Sequence, residues 1–228
     1  MGTHDGHRER LKQRFLKHGL DSFNDLNALE LFLFFAIPRQ DTNALAHRLL
    51  DRFGSLAAVL EAPAEQLREV DGVGENTVTL LKLIPQMDRR YQISKSSGVR
   101  QIRTSEDAGQ ILVPLFRYER EENIYLLSLD SRKVLIACDK LGKGTHGEAT
   151  ISARAVVELA LKHNAAGVII AHNHVDGFAI PSTADKMATG QIRDALRLVG
   201  ITLCDHIVVS GSDFVSFADS GLLNLGRL

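Results

Sequence analysis

From His7 to about Tyr91 apolar positions recur at helical spacing with almost no β-branched alternation, which predicts an all-α half. A first helix is expected over Arg8 to His18, with five Arg or Lys side chains against one acid. A second, Ala28 to Ile37, is so apolar that it should be the buried hub. Asp41 and Thr42 offer N-cap chemistry for a helix to about Phe53, and Ser55 does the same for the next short one. Gln92 to Arg103 is polar and lacks periodicity, so the interdomain linker is placed there. Beyond it the grammar changes. Helices are expected over Ser105 to Tyr118, Ser152 to Asn164 and Thr183 to Leu198. Strands are expected over Asn123 to Leu129, Val134 to Leu141, Gly167 to His172, Ile201 to Ser210 and Phe214 to Phe217. The reading is a helical domain over 1–91, a linker over 92–103 and a mixed-sheet α+β or α/β domain over 104–228.

Composition changes this picture little. The chain has 228 residues, 44% hydrophobic and 24% charged, which excludes disordered and fibrous classes. A net charge of −1 gives no global field toward nucleic acid or an anionic membrane, so any basic surface must be local. Cys138 and Cys204 form no short-spaced metal pair and read as two buried free thiols. The polar, charged start resembles no signal peptide, and no segment approaches eighteen consecutive apolar residues, so a cytosolic protein without membrane contact is expected. No internal repeat or low-complexity segment stands out.

One motif of the helical half carries candidate chemistry. Val70-Asp71-Gly72-Val73-Gly74-Glu75-Asn76-Thr77 is a glycine-rich turn that opens a helix, and the free N–H groups of that helix can receive a phosphate. It resembles a helix-hairpin-helix DNA-backbone contact, with Gly72 and Gly74 where the backbone approaches closely. A plain glycine turn between two helices explains it as well, because residues 1–95 carry 13 basic and 13 acidic side chains.

The most informative stretch is Val168-Ile169-Ile170-Ala171-His172-Asn173-His174, an apolar strand that ends in two histidines one residue apart. Strand spacing puts both on one face, where two neutral imidazoles can reach one cation at about 2.0–2.1 Å. After a loop with Gly177 and Pro181, Ser182-Thr183-Ala184-Asp185 opens a helix, and Asp185 can turn back as a third ligand. Two histidines and one carboxylate leave a fourth position for water, as in catalytic rather than structural zinc sites.

His172-x-His174-x7-Ser182-x2-Asp185 is similar to the motif of JAB/JAMM (MPN) metalloproteases. The order of helical bundle, glycine-rich hairpin, linker and JAB-like domain resembles the RadC family over nearly the whole chain. Gly142-Lys143-Gly144-Thr145, Pro181-Ser182 and Cys204-Asp205-His206-Ile207-Val208-Val209 belong to the same resemblance. It implies a cytidine-deaminase-like mixed sheet and a zinc-dependent hydrolase with His172, His174 and Asp185 as ligands. A glutamate ahead of the first domain strand is implied as general base, and Glu122 stands there, whereas Glu121, Glu148 and Glu158 read as surface carboxylates. Ser182 is implied as donor to the developing oxyanion, and it serves equally well as an N-cap; both roles stay open. His206 reads as structural or as supporting a ligand imidazole through Asp205, and the remaining histidines as solvated. The chain departs from the family where His174-Val175-Asp176-Gly177 replaces the usual His-Pro-Ser-Gly, and again at Ile151-Ser152-Ala153-Arg154-Ala155.

The leading expectation is therefore cleavage of an amide or isopeptide bond in a protein or peptide by zinc-activated water, with Glu122 taking the proton. Two alternatives stand beside it: a DNA-repair-associated DNA-binding factor that uses the hairpin, and a metal-dependent nuclease. The apolar closing strands and Leu222-Leu223-Asn224-Leu225 leave room for a homodimer.

Overall fold

The computed structural model describes residues 3–38, 40–96, 101–143, 151–175 and 177–224. The chain forms two compact units, Met1–Asp88 and Arg89–Leu228. No described helix is long and apolar enough to cross a membrane.

The first unit holds α1 (Thr3–His18), α2 (Asp25–Ala36), α3 (Asn43–Phe53), α4 (Leu56–Glu61), α5 (Ala64–Arg68) and the start of α6 (Glu75–Ser96). Helix α2 is apolar around most of its circumference because it packs two ways. Leu29 and Leu33 join Leu45, Leu49, Val59, Leu67 and Leu81 in the main core, while Leu31 and Phe34 meet Leu11 of α1. The hub expectation holds for these positions, but Phe35 stays exposed. Asn24 caps α2 through Asn27 N–H at 2.8 Å, and Ser55 caps α4 through Ala58 N–H at 3.1 Å. Ahead of α3, Thr42 makes no capping bond; Asp41 accepts from Asn43 N–H instead, at 2.9 Å. Helix α6 continues to Ser96, so residues 92–96 are helical where an irregular linker was expected. Polarity alone does not end a helix, and the next breaker in the sequence is Gly98.

In the second unit α7 (Ser105–Phe116) precedes β1 (Asn123–Leu129) and β2 (Leu135–Lys143). Then come α8 (Ala153–Lys162), β3 (Gly167–Asn173), α9 (Thr183–Leu198), β4 (Thr202–Ser210) and β5 (Asp213–Ser216). A short 3-10 turn follows at Leu222–Asn224. The sheet order is β2-β1-β3-β4-β5, antiparallel throughout except for β3 beside β4. This is the α+β fold expected, with a helical region ahead of a mixed five-stranded sheet. Central strands β1 and β3 are buried at every position, which is why both read as near-continuous apolar runs.

One face of the sheet presents Tyr125, Leu127, Ile169, Ala171, Ile207 and Val209 to α7. The other presents Ile124, Leu126, Val168, Ile170 and Leu203 to α8 and α9. A bulge sets the parity of β4. Val168 pairs with Leu203 but Ile169 pairs with Asp205, so Cys204 is the extra residue. His206 thereby falls opposite Ile170, on the α9 face, and Asp205 on the α7 side. Gly167 makes room, since a Cβ there would stand 2.7 Å from Cys204 Sγ. The cysteines are free as expected but are not buried: Cys138 is exposed on edge strand β2 and Cys204 is half-buried at the bulge. The reason is location, an open edge and an irregular pairing, rather than composition.

Gly109 on α7 tests the packing of the α7 face. A Cβ at this position would lie 2.6 Å from the Phe214 ring of β5, so Gly109→Ala sets a helix-propensity gain of about 1 kcal/mol against overpacking of about 1–3 kcal/mol. Net destabilisation is expected in denaturant unfolding, and Phe214→Leu in the same chain should reverse it by leaving room for the methyl group.

Candidate metal centre

The loop between β3 and α9 brings three acceptor groups together. Strand β3 stays buried to its last residue, Asn173, and His172 and His174, two positions apart at its carboxyl end, project to the same side. In open sheets the crevice beyond the strand ends is where ligands settle. His172 is fully buried and His174 half-buried.

Asp185 arrives from the first turn of α9 through a capping box. Ser182 Oγ accepts from Asp185 N–H at 3.1 Å, and Asp185 Oδ2 accepts from Ser182 N–H at 2.7 Å and from its hydroxyl at 2.6 Å. The sequence left two roles open for Ser182, and the capping role is present in the structure. These bonds saturate Oδ2 and leave Oδ1 facing His172 Nε2 at 3.2 Å, with Oδ2 3.6 Å from His174 Nε2. Burial pushes the Asp185 carboxyl up, but positive charge on the His172 side and then the bonds from Ser182 outweigh it and hold the group well below the ordinary carboxylate range.

His174 Nδ1 lies 3.2 Å from the Phe178 carbonyl, which has only lone pairs, so Nδ1 is the donor there, and in the neutral imidazole Nε2 keeps its lone pair. That Nε2 stands 3.1 Å from His172 Nε2. Among the described residues, His172, His174 and Asp185 are the one group of His, Cys, Asp or Glu whose ligating atoms all fall within 4.8 Å of one another. Two imidazole nitrogens and a carboxylate oxygen gathered this closely make a donor set that fits a metal ion.

The turn after His174 is fastened at both sides. Phe178 O also accepts from Ile180 N–H at 2.7 Å, and Gly177 O accepts from Ser210 Oγ at 2.8 Å. Phe178 and Ile180 are left exposed beside the histidines. Asp176, in the stretch that departs from the family pattern, lies outside the described residues.

Glu122 sits just ahead of β1, half-buried, and its carboxylate makes no hydrogen bond or ion pair among the described residues. The β1–β3 ladder ends at Ile124 opposite His172, two residues after Glu122. Glu121 is exposed and its carbonyl accepts from Asn173 Nδ2 at 3.2 Å; exposed Glu158 pairs with Arg154 at 2.7 Å. Glu148, Gly144, Thr145, His146 and Leu225 lie outside the described residues.

His206 is reached differently than expected. Asp205 does not reach its imidazole: it accepts from the His206 backbone N–H at 2.7 Å, from Ser216 Oγ at 2.6 Å and from Ala218 N–H at 2.9 Å. His206 itself touches the ligand, with Nε2 2.9 Å from His172 Nδ1. Burial, with His172 adding to it, pushes its pKa down to about 3, so it is neutral. Behind it lies Thr189, which the sequence reading missed; its signal was a hydroxyl four residues after Asp185, on the same helix face. Two histidines expected to be solvated pair with carboxylates instead, His7 with buried Glu30 at 3.1 Å and His163 with Asp139 at 2.8 Å.

In the first unit, Gly72 has φ +89° and the Gly74 carbonyl accepts the first turn's bond from Val78 N–H at 3.0 Å. The glycines therefore lie in the turn between α5 and α6, which is what either reading of them requires. Its surroundings are not those of an open anion site, because Glu75 stands in the first turn of α6 and takes the Arg68 guanidinium at 2.6 Å.

Comparison with known proteins agrees with the fold. A family model described as the RadC-like JAB domain matches residues 102–222. A UPF0758 protein of Ruegeria pomeroyi is 39% identical over 95% of this chain and 97% of its own length. Others from Idiomarina loihiensis and Fusobacterium nucleatum are 35% and 31% identical, covering 94% and 96% of this chain and 96% and 97% of their own lengths. A match this long, centred on the sheet that carries His172, His174 and Asp185, makes the chain a member of the RadC family.

Proposed function

We propose that the chain is a zinc-dependent hydrolase that cleaves an amide or isopeptide bond in a protein or peptide. The observation that carries this reading is the convergence of His172 Nε2, His174 Nε2 and the Asp185 carboxylate at the end of β3. Two imidazole nitrogens and a carboxylate suit zinc, and zinc held there would acidify a water and polarise a carbonyl.

The chain's own groups supply the rest. Glu122 takes the proton; a carboxylate with no partner among the described residues, two positions ahead of the residue paired with His172, supports that role. Ser182 donates to the oxyanion that develops on the attacked carbonyl. Its hydroxyl now rests on Asp185 Oδ2, and turning it away leaves that oxygen the Ser182 N–H at 2.7 Å, so Asp185 stays anchored.

DNA-backbone docking by the hairpin is a second reading, favoured by the left-handed Gly72 and weakened by Glu75. It requires duplex binding that falls steeply between about 50 and 200 mM salt and is lost when Gly72 and Gly74 are replaced.

Elemental analysis of the purified chain should return near-stoichiometric zinc, and a His172→Ala/His174→Ala variant should lose it. Wild type that neither carries nor takes up zinc overturns the proposal. Glu122→Gln should keep the metal while hydrolysis falls by about 10²–10⁴-fold. Assays against peptide and single-stranded DNA run side by side; cutting of DNA alone would turn the reading to a nuclease. Ser182→Ala should in addition cost about 1 kcal/mol of stability through the lost cap, read from chemical unfolding.

A further inference from the structure

We propose that His206 and Thr189 are positioning residues for the metal centre: together they fix which nitrogen of His172 carries the proton and tie that imidazole to the backbone of Asp185. The inference rests on the metal reading above and extends it to two side chains that touch neither the metal ligands' donor atoms nor solvent.

Every proton in the chain of contacts can be assigned from its far end. The Asp185 carbonyl has only lone pairs, so the Thr189 hydroxyl, 2.5 Å away, must donate to it. A hydroxyl has one hydrogen. The 2.6 Å contact between Thr189 Oγ1 and His206 Nδ1 is therefore an N–H donated by His206. His206 is fully buried with no carboxylate bonded to its ring among the described residues, a setting for the neutral imidazole; it then presents a lone pair at Nε2, and His172 Nδ1, 2.9 Å away, is the donor there. His172 is left with its lone pair on Nε2, the atom that faces His174 Nε2 at 3.1 Å and Asp185 Oδ1 at 3.2 Å.

The ring of contacts is closed and dry. It passes from Asp185 on α9 through Thr189 on the same helix, His206 on β4 and His172 on β3, and returns to Asp185. Thr189, His206 and His172 are 2%, 0% and 1% exposed, so water cannot substitute for a missing member. The Phe217 ring lies over His206 with centroids 4.7 Å apart and planes 21° apart, which restricts the imidazole to one plane. Ligating histidines ordinarily give their second N–H to a carboxylate, a carbonyl or water. A neutral imidazole can accept only in one of its two tautomers. Thr189 selects that tautomer: without its hydroxyl, His206 is free to carry the proton on Nε2, which would drive the His172 proton onto the metal-facing nitrogen.

The test uses the full chain and zinc itself, with affinity measured by competition against a chromophoric chelator. Thr189→Val removes the hydroxyl at nearly constant shape and should weaken zinc binding by about 10–100-fold. Thr189→Ser keeps the hydroxyl and should restore it. Ser216→Ala deletes another buried hydroxyl, the one bound to Asp205 outside the ring, and should leave zinc affinity unchanged. Long-range ¹H–¹⁵N spectra of the metal-free protein supply an independent readout. Wild type should show His172 and His206 each protonated at Nδ1, and Thr189→Val should show a mixture. Equal zinc affinity in Thr189→Val and wild type, or an Nε2 proton on His206 in wild type, overturns the relay. Failure of wild type to bind zinc would instead overturn the metal reading, and the tautomer spectra would still judge the relay.

Discussion

A strand buried on both faces tolerates a polar side chain only where something else satisfies it, and the chemistry of this molecule depends on how β3 meets that constraint. Seven consecutive buried residues leave His172 and Asn173 with no solvent to turn to. Asn173 answers with its neighbours, accepting from Asn123 N–H at 2.7 Å and donating to the Glu121 carbonyl. The histidines answer by facing each other and Asp185. An arrangement that crowds acceptors is costly by itself, and it is stable when the crowding is the coordination shell of a cation.

The first turn of α9 serves folding and site together. Its capping box satisfies free N–H groups that every helix must satisfy, and the same carboxylate that does so is aimed at the histidines by it. Placing an anion at a helix N-terminus is favourable, so local helix energetics hold Asp185 ionised and in place before any metal arrives. The cap and the third acceptor are thus two uses of one short segment, Ser182 to Asp185.

Much of this could be read from the sequence, and the failures have physical causes. Strands β1 and β3 announced themselves as apolar runs because each is covered on two sides, and β1 and α9 fell on their expected residues. The triad was legible because short-range spacing on a strand and at a helix start fixes direction. What escaped depends on pairing between distant segments. Asp205 seemed the natural partner for a ligand imidazole, but the extra residue at Cys204 reverses the alternation and sends His206 inward instead. No period in β4 alone reveals that. Thr189 has no chemistry of its own until β4 packs beside it. Helix α6 overran the expected linker because polar residues without a breaker remain helical, and Cys138 reached solvent because β2 happens to be an edge.

The Cys204 bulge also sets what kinds of change this chain can absorb. Side chains on β4 can be exchanged one at a time within the limits of their pockets. Length is another matter, because alternation on a strand counts residues rather than chemistry. Loss of one residue between Leu203 and His206 only removes the bulge, leaving Leu203 opposite Val168 and His206 still opposite Ile170 in a regular ladder. One residue lost beyond His206 would instead turn every later side chain of the strand to the other face. Divergence in length is therefore open to this strand at the bulge and closed along the rest of it.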